Sequence, residues 1–229
     1  MAAKSLGDRL RRRAGRWPVI IGLTGSIGMG KSTLARMARR LGVAVHDADA
    51  TVHALLGRRG AAVAAVLAAF PGVGTLADGI DRKALGARVF GRPPALARLE
   101  AILHPLVRRR EAAFLRRCGL GRRKVVILDV PLLFETGGEH RCDRVMVVSA
   151  PAFLQSQRVL RRPGMTAALL ADIRARQTSE AVKRLNAEAV VPTGLGPRPA
   201  LRALRANLTM ARSGVRRWRR GKRTYRPHA

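Results

Sequence analysis

The chain has 229 residues, 47% of them apolar and 3% aromatic, with 45 Lys and Arg against 14 Asp and Glu, a formal charge of +31. That length supports a substantial core in one or two lobes. No apolar run approaches the ~20 residues of a membrane span, and two cysteines, Cys118 and Cys142, make neither a zinc nor a disulfide framework.

Residues 1–16 carry Lys4, Arg9, Arg11, Arg12, Arg13 and Arg16 against Asp8, and residues 212–229 are equally basic with no acid. Both stretches read as basic arms. Polyanions are drawn to such surfaces, but nucleic-acid contact through the arms is not expected to be the main function. The first predicted element is Val19-Ile20-Ile21, a short β-branched strand that leads into Gly25-Ser26-Ile27-Gly28-Met29-Gly30-Lys31-Ser32. This is the G-x-x-x-x-G-K-[ST] pattern of a nucleotide phosphate loop. Its glycines let the backbone turn tightly and approach a phosphate, and the N–H groups of the loop and of the following helix donate to an anion. Lys31 reaches the β- and γ-phosphates, and Ser32 is placed to ligate Mg²⁺. Leu34, Met37, Ala38 and Leu41 then form one apolar helix face, which Gly42 stops.

Val43-Ala44-Val45 is a second strand that delivers His46-Asp47-Ala48-Asp49, acids where open parallel sheets place their chemistry. One of the pair is expected to cap the next helix. His46 and His53 lack a third partner at metal-ligand spacing. Helix is expected from Thr51 to about Phe70, from Asp81 to about Phe90, and from Leu96 to Leu115 with an interruption at Pro105. About 80 mostly helical residues thus separate the second and third strands, far more than a crossover needs. They read as an inserted lobe for a second substrate.

The third strand, Val125 to Leu128, runs into Asp129-Val130-Pro131-Leu132-Leu133-Phe134-Glu135. An acid at the position of Asp129 can hold Mg²⁺ beside Ser32, and Glu135 is a candidate for positioning substrate. Leu132, Leu133 and Phe134 either face an apolar ligand portion or pack on the lobe. Val145 to Val148 is the fourth strand. Two helices follow, joined by Pro163-Gly164, the first bearing Arg158, Arg161 and Arg162. They suit a lid over transferring phosphates. Ala189-Val190-Val191-Pro192 is the fifth strand, Thr193-Gly194 begins a loop where an adenine could dock, and a last helix carries Leu201, Leu204 and Leu208.

In this order the stretches resemble the dephospho-coenzyme A kinase family: I-G-L-T-G-S-I-G-M-G-K-S-T from Ile21, H-D-A-D at 46–49, D-R-K-A-L at 81–85, L-E-A-I-L-H-P-L-V-R at 99–108, D-V-P-L-L-F-E at 129–135, R-V-L-R-R-P-G-M-T at 158–166 and A-R-Q at 175–177. The resemblance covers about residues 19–210. It implies an α/β, P-loop NTPase fold: a five-stranded parallel sheet flanked by helices, with an inserted helical substrate lobe and a helical lid. The implied division is a core of 17–49 and 122–211 containing a lid at about 153–178, a lobe at 50–121, and arms at 1–16 and 212–229. The implied activity is ATP- and Mg²⁺-dependent phosphorylation of the ribose 3′-hydroxyl of dephospho-coenzyme A; a cytoplasmic location is expected, and the sequence leaves the oligomeric state open, with a monomer favoured.

Carried over residue by residue, Asp49 matches the general base, with Asp47 beside it as the fallback. Lys31, Arg158 and Arg162 match residues that neutralise the transferring group. Gly25, Ser26, Ile27, Gly28, Met29, Gly30, Lys31, Ser32, Thr33 and Gly194 match the nucleotide side, and Ser32 and Asp129 the metal side. His104, Arg108, Leu132, Leu133 and Glu135 match the acceptor side. The last strand departs from the family pattern, with Glu188 in place of the usual Asp and Pro192 in place of a polar residue. Rival expectations are another small-molecule kinase, of the nucleoside or nucleotide type, which has no use for His104-Pro105 or for Pro131 to Glu135, and a non-catalytic nucleotide-dependent RNA-binding protein.

Overall fold

The computed structural model describes residues 17–213. The two basic arms of the sequence reading, up to residue 16 and from 214 on, lie outside the described residues. The chain divides into two compact units, one made of residues up to His46 together with those from Arg117 onward, the other of Asp47–Arg116.

The first unit holds a five-stranded sheet. Its strands in chain order are β1 (Val19–Thr24), β2 (Ala44–Asp47), β5 (Val125–Asp129), β6 (Arg144–Ser149) and β7 (Ala189–Pro192). Their order across the sheet is β2-β5-β1-β6-β7, and β1 runs parallel to both β5 and β6. β1 is therefore the strand at which the order reverses, where open α/β sheets bind ligands beyond their carboxyl ends. β1 is buried along its whole length, which is why it reads as a continuous apolar run rather than an alternation. One face of the sheet sends Val19, Ile21 and Leu23 into a core with Leu34, Ala35 and Ala38 of α1 (Lys31–Arg40) and Leu204 and Leu208 of α9 (Pro197–Arg212). On the other face Gly22 leaves room for Leu133 and Cys142, since an added Cβ would stand 2.8 and 2.7 Å from their side chains.

The second unit comprises α2 (Ala48–Leu56), α3 (Val63–Ala69), a two-stranded hairpin of β3 (Gly74–Thr75) and β4 (Gly79–Ile80), α4 (Arg82–Val89) and most of α5 (Pro93–Leu120). Its own core joins Leu55, Leu56, Val63, Val66, Phe70, Leu85, Val89, Leu99 and Leu103.

Three local expectations are corrected here. The helix read from Thr51 to Phe70 is broken between Leu56 and Val63. Gly60 folds back so tightly that a Cβ there would lie 2.1 Å from the Leu55 carbonyl oxygen, and Arg59 adopts a φ of 61°. Pro105, expected to interrupt a helix, lies inside α5. The missing N–H and ring clash cost about 3 kcal/mol, which is offset by burying Leu99 and Leu103 in the turns before it, each worth about 1.5–3 kcal/mol. The β3–β4 hairpin was not foreseen, because strands of two residues carry no periodicity.

After β6, α6 (Ala152–Leu160) and α7 (Ala167–Arg176) are joined through Pro163-Gly164, and α8 (Glu180–Leu185) precedes β7. Among the described residues no helix is long and apolar enough to cross a membrane. Cys118 and Cys142 are buried thiols.

Candidate active site

The phosphate loop links the end of β1 to α1. Gly28 and Gly30 take left-handed conformations, with φ of 77° and 88°, which a side chain at either position would strain. At Gly25 a Cβ would meet Val148 Cγ2 at 2.3 Å, so the loop leaves the sheet only because that residue is glycine. No side chain caps α1 and no acid occupies its first turn. Its first N–H groups are therefore left for an anion.

The loop carbonyls are held from outside. Gln155 Nε2 donates to Ile27 C=O at 2.8 Å. The Arg158 guanidinium donates to Gly28 C=O at 3.4 Å and to Thr193 C=O at 2.8 Å, and the Thr193 hydroxyl donates to Met29 C=O at 2.6 Å. Peptide planarity then turns the N–H groups of Gly28 and Gly30 the other way, into the concavity of the loop. Arg174 in turn clamps Gln155, donating to its Oε1 at 2.6 and 3.0 Å, so α7 is tied through α6 to the loop.

Lys31 Nζ lies 2.6 Å from Asp129 Oδ1. The β1–β5 register explains the meeting, since Asp129 pairs with Leu23 at the last turn before the loop. Asp129 is buried and Lys31 half-buried at 15% side-chain exposure. Ser32 and Thr33 are exposed on the first turn of α1. Gly194 packs so closely on Pro151 that a Cβ would stand 2.6 Å from its ring.

The remaining expected residues divide by exposure. Leu132 is 44% exposed and Leu133 is fully buried in the core against Gly22, so Leu132 is the one open to a ligand. Glu135 Oε1 is taken up by the Thr178 N–H at 2.8 Å and by Lys183 Nζ at 3.0 Å. The Arg162 side chain is exposed and makes no hydrogen bond or ion pair among the described residues.

In the second unit, Asp47 is the cap of α2, its carboxylate accepting from the Ala50 N–H at 2.9 Å. Asp49 stands exposed in the first turn of the same helix, where the positive helix end favours a carboxylate. His104 and Arg108 are both exposed and one turn apart on α5, hence neighbours on one face.

The sequence model of the dephospho-CoA kinase family matches residues 19–194. The chain belongs to the dephospho-CoA kinase family. It is 97% identical over 211 residues to the dephospho-CoA kinase of Rhodospirillum rubrum, covering 92% of this chain and all of that one. With the dephospho-CoA kinase of Paramagnetospirillum magneticum it shares 66% identity over 166 residues, 72% of this chain and 77% of that one. Among solved structures, the fold superposes on TT1252 from Thermus thermophilus with a TM-score of 0.73 at 37% identity, covering 84% and 97% of the two chains.

Of the two departures from the family pattern, Glu188 has a visible task. Its carboxylate accepts the Val145 N–H and its own N–H donates to the Val145 carbonyl, closing the start of the β6–β7 pairing. Burial pushes its carboxyl above the ordinary 4.5, against the lowering effect of the Val145 N–H and of Arg144. The folded state therefore holds this proton more tightly than the unfolded chain. The stability contributed is full below about pH 4.5 and is lost as pH rises through the folded-state value. Glu188→Gln cannot ionise, so the stability of the natural chain relative to this variant should decline as pH rises above about 4.5. Urea midpoints across that range check it, and a flat difference would contradict it.

Gln155, Arg174, Gln177, Thr193 and Lys183 hold the loop or its neighbours, a task the sequence did not assign to any of them, although Thr193 was read as the start of an adenine loop and Gln177 within A-R-Q at 175–177. One signal was available: lysine is scarce among the basic residues of this chain, so a lysine on a short helix stands out against a background of arginine.

Proposed function

We infer that this chain transfers the γ-phosphoryl group of ATP to the ribose 3′-hydroxyl of dephospho-coenzyme A, giving coenzyme A and ADP. The match of residues 19–194 to the family carries the reading, and the Lys31–Asp129 pair at the mouth of an anion-receptive loop supports it.

The 3′-oxygen attacks the γ-phosphorus and the bond to the β,γ-bridging oxygen breaks, its electron pair leaving with ADP. Asp49 accepts the hydroxyl proton, and Asp47, committed to its helix cap, is the weaker candidate. The loop N–H groups and Lys31 hold the β- and γ-phosphates while charge spreads over the transferring oxygens. Arg158 keeps the loop in shape, and exposed Arg162 is available to the transferring group. Leu132 and the His104–Arg108 face receive the acceptor, with Arg108 offering its guanidinium to a phosphate. Thr193 and Gly194 line the side assigned to the adenine.

Among the described residues no three His, Cys, Asp or Glu side chains are grouped to hold a metal by themselves. That donor set suits Mg²⁺, which is bound by one or two protein oxygens and otherwise by phosphates and water. Ser32 and Asp129 are the residues that would hold it, and it would supply charge neutralisation on the β- and γ-phosphate oxygens.

The test is conversion of dephospho-coenzyme A with ATP and Mg²⁺, the product identified by mass. A gain of one phosphoryl group at the 3′ position is expected. A folded, ATP-binding chain that leaves dephospho-coenzyme A unchanged overturns the reading.

A further inference from the structure

Lys183 is the largest of the fully buried side chains in the described residues, at 0% exposure, and nothing in the transfer reaction uses it. It projects from α8 and places Nζ 3.0 Å from Glu135 Oε1 and 3.4 Å from Ser26 Oγ. Ser26 is the second residue of the phosphate loop and is itself buried. Its hydroxyl accepts from Lys183 and donates to Glu180 Oε2 at 3.3 Å. Beside it the Ile27 N–H donates to Gln177 Oε1 at 3.1 Å, and the Thr178 N–H donates to the same Glu135 oxygen that Lys183 meets. A single short stretch, Gln177 to Lys183, thus grips the first two variable residues of the loop and the end of the segment that follows β5.

An isolated ammonium without water is expensive to bury and persists only when it is paired and hydrogen-bonded. The Glu135 carboxylate and the Ser26 hydroxyl do that here. Lysine suits the place because its charge is compact, where a planar guanidinium would need more room. The partners of Lys183 are chosen for location as well as charge: one belongs to the phosphate loop and one to the loop after Asp129, while Glu180, on the same helix, accepts from Ser26 rather than from Lys183.

We propose that Lys183 is a positioning residue for the phosphate donor, fixing Ser26 and with it the rising limb of the phosphate loop so that its N–H groups converge on the nucleotide phosphates. The inference rests on the kinase reading for its donor, ATP, and not for its acceptor. Lys183 touches no reacting atom and acts through Ser26 and Glu135. Its loss lets the loop sample conformations with divergent N–H groups, weakening ATP while leaving the acceptor's own contacts in place.

The test measures ATP binding by calorimetry on the full chain, beside separate KM values for ATP and dephospho-coenzyme A. Lys183→Met should raise the Kd for ATP at least tenfold, with the KM for dephospho-coenzyme A unchanged within about twofold. Ser26→Ala and Glu180→Gln, which leave the buried ammonium in place, should each raise the ATP Kd about threefold or more. A purely structural lysine would lower the melting temperature and the active fraction, leaving both KM values and the ATP Kd of the folded protein unchanged, and that result overturns the proposal. If Lys183→Met does not fold, the other two variants decide: a weakened ATP Kd supports the proposal and an unchanged one overturns it. Calorimetry requires no acceptor, so a wrong acceptor assignment would show as missing coenzyme A formation in the natural chain, with the ATP result intact.

Discussion

Asp49→Asn should lower kcat for coenzyme A formation about 10³-fold while the KM for ATP stays within about twofold. The substitution keeps the size and hydrogen-bonding shape of the side chain and removes its ability to take a proton. Asp49 is exposed on the first turn of α2, so replacing it disturbs no packing. Asp47 differs in this respect, since its carboxylate closes the helix end through Ala50. Asp47→Ser, which retains a capping oxygen, is therefore the control and should keep most of the activity. Steady-state rates for the two variants check the assignment. A loss below tenfold in Asp49→Asn, with a larger loss in Asp47→Ser, would move the base to Asp47.

Lys31→Met should reduce kcat/KM for ATP about 10³-fold, the scale on which removing one preorganised donor to a developing charge is felt. The Lys31 ammonium is held 2.6 Å from Asp129 at the start of α1, whose N-terminus carries no side-chain cap. Its removal subtracts charge from the transition state and a partner from a buried carboxylate at once. Lys31→Arg should not restore the rate, because a planar fork cannot take the place of a point charge at the end of a four-carbon stem. Retention of more than a tenth of kcat/KM in either variant would argue that phosphate charge is met elsewhere, with Arg162 the next residue to replace. Binding of ATP measured without acceptor separates a binding defect from a chemical one.

Much of this site was legible in the chain because it is local. The phosphate loop needs a strand, three glycines, a lysine and a serine in immediate succession, and β1, the loop and α1 occupy the expected residues. The parallel strands β5 and β6 were legible for a related reason: buried on both faces, they are continuous apolar runs bounded by breakers. Asp129 could be placed at a strand end, but its partnership with Lys31 depends on β5 lying next to β1, which no spacing encodes. The same holds for Arg158, read as a lid residue and found binding the carbonyls of Gly28 and Thr193. Pro105 and the Gly57–Gly60 break were misread because burial overrode one local preference and backbone crowding imposed another. Lys183 escaped because a charged residue on a short helix is ordinarily a surface residue, and only the fold reveals that its helix turns inward.

The sheet order has a consequence for how the polypeptide is made. Val19 of β1 pairs with Val125 of β5, so roughly 100 residues must leave the ribosome after β1 before its first neighbour exists, about 5–20 s at ordinary rates of synthesis. Throughout that interval the Val-Ile-Ile run of β1 is an apolar strand with both edges unpaired. The unit Asp47–Arg116, contiguous in sequence, is by contrast complete before its host has closed a single parallel pair with β1. A nascent chain of this design completes its inserted unit before β1 has a first partner, which makes β1 the segment for a chaperone to shield during translation.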